Sequence, residues 1–557
     1  MPRSTNPVLP GSHPDPSILR VGDDYYLATS TFEWYPGVRV HHSRDLVRWQ
    51  AIGGILDETR LLDLTGCPDS GGVWAPNLTY ADGLFHLVYS NISTYAGGFT
   101  DGPNHLVTAP TIEGPWSEPV LLHARGFDAS LFHDGDESWL INLVHDWRPG
   151  YGGSAGLEAT RYDRAERRLV GTPQRIQLPP KAGWIEGPNL YRRGDWYYLI
   201  TADGGTSWEH QVTVARSRTL TGPYERDPDS PLLTAKHRPD WPLQKAGHGS
   251  LVPAGDGEWW LAYLVARPIG VHGPCILGRE TALARVEWTD DGWPVVAGGL
   301  PPLTVPPASE PTAAPAGEPA AAPAAERPTA AWPVVTEVDD FDSTRLGPQW
   351  STLRRLPDPN WLSLTERPSH LRIRGGRSPQ SLVGPSLVAR RVTEPKATFE
   401  AVVDFQPTAF QQLAGLTAYY NTRNWHFVYL TADDDGARVL RVATRDQGRL
   451  TVHAETVAAA GPEPVRLRLR FDDAELTCWY ATETEWQRIG PMLDATVVSD
   501  EHVVEFDVDQ IRSLGFTGAF AGLWVWDLNG HGHPADFDRA AYTVDNVSAD
   551  DRQAGAH

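Results

Sequence analysis

Asp15-Pro-Ser-Ile-Leu19, followed closely by Tyr25-Tyr-Leu-Ala-Thr29, decides the fold because its shape returns four times. The returns are Ala75-Pro-Asn-Leu-Thr with Phe85-His-Leu-Val-Tyr, and Asp128-Ala-Ser-Leu-Phe with Trp139-Leu-Ile-Asn-Leu. Then come Gly187-Pro-Asn-Leu-Tyr with Trp196-Tyr-Tyr-Leu-Ile, and His248-Gly-Ser-Leu-Val with Trp259-Trp-Leu-Ala-Tyr. Each pairs a small or polar start with an apolar strand, a polar turn and an aromatic-rich strand. The starts lie 60, 53, 59 and 61 residues apart. Further strand candidates fall between them, such as His42-Ser-Arg-Asp-Leu-Val-Arg-Trp, Pro110-Thr-Ile-Glu-Gly-Pro-Trp and Ala215-Arg-Ser-Arg-Thr-Leu-Thr-Gly-Pro-Tyr. A hairpin plus about two more strands at this period is a propeller blade, so five units predict a five-bladed β-propeller.

The propeller is expected over residues 1–300. From Pro301 to residue 333 the chain is Pro, Ala, Glu and Thr with almost no large apolar side chain. Such a stretch buries too little to offset ordering entropy and reads as a linker. Beyond it, over 334–550, short runs alternate with period 2, as in Thr398-Phe-Glu-Ala-Val-Val-Asp-Phe and Val465-Arg-Leu-Arg-Leu-Arg-Phe. Half-buried strands in that number predict a concanavalin-like β-sandwich, expected to contribute to the active-site mouth.

Composition narrows the function. Asp plus Glu exceed Lys plus Arg by 70 to 48, a formal charge of −22, which argues against a nucleic-acid partner. The 22 Trp against 2 Met suit stacking on sugar faces as much as β-strand packing. Cys67, Cys275 and Cys478 are odd in number and without a CxxC, so they read as neither a disulfide framework nor a zinc site. The start Met1-Pro-Arg-Ser-Thr-Asn-Pro has no apolar signal core, and no run of ~18 apolar residues suggests a membrane span. A cytoplasmic protein is expected, with no membrane partner.

Inner blade strands line one channel, so residues distant in sequence converge there. The repeat starts and their preceding neighbours bring together Asp15, Asp128, Glu186, His248, Trp74 and Phe127. Glycoside hydrolysis needs two carboxyls in different protonation states, and a third can raise the acid's pKa. Alone, Asp15 between Pro14 and Pro16 reads as a turn residue; three carboxylates at equivalent inner positions reverse that reading. Gly152-Gly-Ser-Ala-Gly156 fits G-x-S-x-G but lacks its strand–turn–helix setting and reads as a loop.

His13-Pro-Asp-Pro-Ser17, Phe127-Asp-Ala-Ser-Leu-Phe132 and Trp184-Ile-Glu-Gly-Pro-Asn-Leu190 resemble the three catalytic segments of glycoside hydrolase family 43, more closely those of its two-domain β-xylosidases. Gly72-Val-Trp-Ala-Pro76, Asp203-Gly-Gly-Thr206, Gly247-His-Gly-Ser250, Leu277-Gly-Arg-Glu-Thr281, Gly515-Phe-Thr-Gly-Ala-Phe520 and Ala535-Asp-Phe-Asp538 extend the resemblance over nearly the whole chain except the linker. It implies Asp15 as general base, Glu186 as general acid and Asp128 as pKa modulator. It also implies sugar contacts from Phe32, Trp74, Phe127, Thr206, His248, Arg279 and Phe516, with Phe520 near the pocket. The linker is longer than the pattern, and Glu-Gly-Pro-Asn stands where Ala and His are common, which bears on leaving-group preference.

The implied activity is an inverting, exo-acting β-1,4-xylosidase on short xylo-oligosaccharides. No cofactor is required; calcium near His248 is left open, and the reading allows a homo-oligomer. An α-L-arabinofuranosidase, alone or as a dual activity of the same site, is the alternative. A non-catalytic carbohydrate-binding propeller is the reading from another class, and loss of a carboxylate would have favoured it.

Overall fold

The computed structural model describes residues 4–544 apart from 149, 152, 179–183, 256, 306–334, 454–456, 460, 483–484 and 508–509. The linker reading therefore lies, from residue 306 onward, outside the described residues. Five four-stranded antiparallel sheets surround a channel, and the fourth carries one extra short strand. Their innermost strands are Ser17–Val21, Gly72–Ala81, Ser130–Asp134, Ile185–Arg193 and Gln244–Pro253.

The five repeat starts share one backbone state. Asp15, Ala75, Asp128, Gly187 and His248 have φ of 55°, 31°, 54°, 57° and 51°. Left-handed backbone costs an L-residue roughly 1–2 kcal/mol, and strain of this kind gathers at functional sites. At Ala75, Gly187 and His248 the strand ladder also slips register. The bulge turns these residues out of the pairing pattern and toward the channel.

Two residues after each start, an alternating Ser/Asn position joins the blades. Ser17 Oγ accepts from Leu78 N at 2.9 Å, and Asn77 Oδ1 from Leu131 N at 2.9 Å. Ser130 Oγ donates to Pro188 O, Asn189 Nδ2 to Gly249 O at 3.2 Å, and Ser250 Oγ accepts from Ile18 N at 3.2 Å. Each bond reaches the next blade, and the last returns to the first. The ends also close the ring: Ser4–Thr5 pairs with Thr304–Val305.

The C-terminal part forms two packed antiparallel sheets. In Val465–Asp472, Leu467, Leu469 and Phe471 are buried in the core while the alternate arginines face outward, as period 2 requires. One sheet continues through Leu387–Arg391 and Ser351–Leu353 to a strand from the propeller, Trp34–Tyr35. Trp34 is 1% exposed and stacks on Phe520 at 4.0 Å with 12° between the planes. Phe520, expected near the pocket, is thus the floor of this joint. Gly153–Gly156 opens the third strand of its blade, so the expected loop there is corrected; Gly152 lies outside the described residues.

Two arginines, Arg354 buried and Arg267 half-buried, tie the two parts together. Arg354 donates to Cys67 O at 2.6 Å and Asp69 Oδ1 at 2.7 Å, and Arg267 bridges Glu280 and Glu394 at 2.7 Å each. Trp34→Ala empties the stacked joint, a change that costs about 3–5 kcal/mol for a buried Trp. A clear fall in melting temperature is expected, with a raised KM because Phe32 is two residues away. An unchanged thermal melt would show that the joint does not hold the parts together.

Candidate active site

A cavity of about 670 Å³ opens at one mouth of the channel, and all ten residues singled out from the sequence line it: Asp15, Phe32, Trp74, Phe127, Asp128, Glu186, Thr206, His248, Arg279 and Phe516. Blade repetition places the three carboxyls. Asp15 precedes the inner strand of blade one, Asp128 that of blade three, and Glu186 lies on that of blade four.

Asp15 accepts from Ser30 Oγ at 2.6 Å through Oδ2 and from Arg279 Nη1 at 3.1 Å through Oδ1. Burial alone would raise its pKa, but Arg279, His248 and the Ser30 hydroxyl outweigh burial and hold it below the ordinary value. Glu186 moves the other way. Burial pushes it up to about 7; the Trp184 N–H and Arg279 oppose this, and the Asp15 charge reinforces it. Asp128 is also raised, by burial first and then by the charges of Glu186 and Asp15. Its Oδ2 accepts from Gly187 N at 3.0 Å, which fixes it one residue along from Glu186. Asp128 and Glu186 therefore titrate as a unit. Trp184 Nε1 holds Glu186 Oε2, while Oε1 is buried without a partner among the described residues.

Aromatic rings wall the cavity. Trp74 meets Phe127 and Phe516 edge-on, each at 5.4 Å, and Phe32 lies 5.9 Å from Phe516. Arg279, 2% exposed, lies 4.6 Å over the Phe516 ring and donates to its carbonyl at 3.4 Å. The sandwich thus supplies one wall of a propeller pocket.

Several lining residues escape sequence reasoning: Tyr95, His145, Asp146, Trp147, Arg148, Trp184 and Leu514. Trp184 sits inside a quoted motif, so its type and position were the available signal. The rim pair Phe99 and Trp147, 60% and 56% exposed and stacked at 5.2 Å, comes from loops that carry no repeat.

His248 lies at the channel centre, its Nδ1 3.6 Å from Asp15 Oδ1, and a Cβ on Gly187 would meet its ring at 3.0 Å. Burial lowers its pKa, and the Asp15 charge opposes this. Calcium takes about 6–8 oxygen ligands. Here the donors are an imidazole nitrogen, the Asp15 carboxylate already engaged by Ser30 and Arg279, and the Asp128 carboxyl that accepts from Gly187 N. This set does not fit calcium, and among the described residues no group of three His, Cys, Asp or Glu could hold a metal ion. The calcium site left open near His248 is therefore not supported.

Comparison with known proteins agrees with this geometry. The chain is 41% identical over 548 residues to a β-xylosidase of Bacillus subtilis, covering 96% of this chain and 98% of that one. It is 41% identical over 552 residues to a xylosidase/arabinosidase of Humicola insolens, covering 97% and 98%. The crystal structure of a xylan β-1,4-xylosidase from Bacillus halodurans superposes with a TM-score of 0.89 at 43% identity, covering 97% of this chain and all of that one. Residues 338–543 match the concanavalin A-like domain found C-terminal in β-xylosidases. Residues 4–294 match glycosyl hydrolases family 43, and the chain is a member of that family of glycoside hydrolases.

Proposed function

We propose that this hydrolase releases single xylose units from the non-reducing end of short β-1,4-xylo-oligosaccharides, with inversion at the anomeric carbon. The observation that carries the reading is one aromatic-walled pocket that treats two buried carboxyls differently: Asp15 is held by Arg279 and Ser30, which lower its pKa, while Glu186 has only the Trp184 N–H and burial pushes it up to about 7. Asp15 takes a proton from water as its oxygen attacks the anomeric carbon. The bond to the glycosidic oxygen breaks, and that oxygen takes the proton of Glu186, delivered from Oε1. Asp128 shares the charge that keeps this proton in place. Phe516 closes the far wall, which suits a terminal sugar better than a through-running chain. The three buried free thiols support a reducing compartment, the cytoplasm.

The ring supports inversion. Blades one and four are not neighbours, and a gap of ~6.5–9.5 Å between the carboxyls admits a water where ~5–5.5 Å would not. Proton NMR of a fresh β-xyloside digest is expected to show α-xylose first. Early β-xylose would make Asp15 a nucleophile and sink the mechanism.

The pH profile of kcat/KM should fall above about pH 7 as Glu186 loses its proton, and fall again where Asp15 protonates, below the ordinary carboxylate range. Asp128→Asn removes one of two buried carboxyls that titrate together, so the last proton of the pair is no longer held against a second charge and the basic limb moves to lower pH. A basic limb left in place would remove Asp128 from this role.

The Humicola insolens relative, named for both activities, favours α-L-arabinofuranosidase as a second reading. Comparing kcat/KM on xylobiose with that on an arabinosylated oligosaccharide decides between them.

A further inference from the structure

We infer that Ser70 is a positioning residue that joins propeller and sandwich at the sugar pocket, with its hydroxyl holding the Leu514–Phe516 segment in the closed position. This rests on the pocket being the hydrolytic site proposed above. Ser70 does not line the cavity, and its own side chain is fully buried. Its carbonyl and its hydroxyl are nonetheless both spent on pieces of the wall.

Its N–H donates to Glu33 Oε2 at 3.1 Å, and Glu33 is the residue between Phe32 and Trp34. Its carbonyl accepts from Trp74 Nε1 at 2.8 Å. Its hydroxyl donates to Leu514 O at 2.8 Å and lies 3.4 Å from the Phe516 N–H that donates back to it. Two walls from two domains, Trp74 and Phe516, therefore meet at one residue, which also holds the side chain next to Phe32 in sequence. The Phe516 carbonyl in turn accepts from Arg279, whose other nitrogen holds Asp15. Displacement of the segment would thus loosen both the wall and the arginine that fixes the base.

The neighbours make the hub rigid. Asp69, one residue earlier, accepts from Arg354 at 2.7 Å and from Thr422 Oγ1 at 2.5 Å, and its carbonyl accepts from the Tyr95 hydroxyl. Ser70 itself has φ of 57°, a left-handed state that glycine adopts at no steric cost. Serine there carries backbone strain that glycine would relieve, so its hydroxyl needs a compensating role.

That strain supplies the test. Ser70→Gly removes the hydroxyl and relaxes the backbone, two opposing effects, so its melting temperature should stay above that of Ser70→Ala, which loses the hydroxyl and keeps the strain. On the glycoside that wild type turns over fastest, Ser70→Gly and Ser70→Ala should each lose roughly tenfold in kcat/KM, the scale of a lost buried hydrogen-bond pair. Most of the loss should appear in KM, because the segment touches sugar rather than the breaking bond. In a Phe516→Ala background the same Ser70→Gly change should cost less than about twofold, since both act through one segment. Wild-type kinetics in Ser70→Gly would overturn the inference, as would a loss confined to kcat or a full second loss on top of Phe516→Ala. Failure of wild type on xylobiose would instead count against the substrate reading and leave this cycle intact.

Discussion

Glu186→Gln is expected to lose about 10³–10⁴-fold in kcat on xylobiose, and under about tenfold on an aryl xyloside whose phenolate departs unaided, since a general acid contributes within that range only where the leaving oxygen needs a proton. Glutamine keeps the size of glutamate and an oxygen for the Trp184 N–H, so the wall around it should not move. Its amide cannot give up a proton at neutral pH. A sugar hydroxyl is a poor leaving group and feels the full loss; an activated phenol does not. The basic limb near pH 7 should vanish with the carboxyl, because that limb is the deprotonation of Glu186. Steady-state kinetics on the two substrates across pH measure both effects. Equal losses on both would remove Glu186 from the acid's role.

How much of this was legible in the residues follows from periodicity. The five starts were visible because every blade reuses one strand plan, and a repeat gives geometry without a structure. That plan also held the Ser17, Asn77, Ser130, Asn189 and Ser250 ring that joins the blades. Its positions stood in the quoted segments, but bond direction needs coordinates. The Trp34–Tyr35 strand was not legible: two residues carry no alternation, and their partner lies more than 300 residues away at Thr352 and Leu353. Ser70 was invisible for a related reason, since its role comes from backbone atoms and from a segment near residue 515. Strand candidates such as Pro110–Trp116 and the end of Ala215–Tyr224 proved to mark turns after third strands. There Pro and Gly outweigh the apolar residues around them. Phe516 and Phe520 sit four residues apart on opposite sides of one connection, one in the pocket and one under Trp34. Only tertiary packing separates them.

Asp15→Asn should lose about 10²–10⁴-fold in kcat on every substrate, good and poor leaving groups alike, because a general base acts on the water and not on the departing oxygen. Asparagine can still accept from Arg279 through its amide oxygen, so the arginine and Phe516 keep their places. What is lost is the negative charge that Arg279, His248 and Ser30 stabilise. With the charge gone, two shifts follow. Glu186 loses the Asp15 repulsion that helps raise it, so the basic limb of the residual activity should move to lower pH. The acid limb should disappear, since the group whose protonation causes it is absent. These shifts separate the base from a residue that merely shapes the pocket, which would lower the rate and leave both limbs standing. The contrast with Glu186→Gln is the sharper measurement: dividing the loss on xylobiose by the loss on the aryl xyloside should give a large ratio for Glu186 and a ratio near one for Asp15. A large ratio for Asp15→Asn would mean that Asp15 serves the leaving group, and the division of labour between the two carboxyls would be reversed.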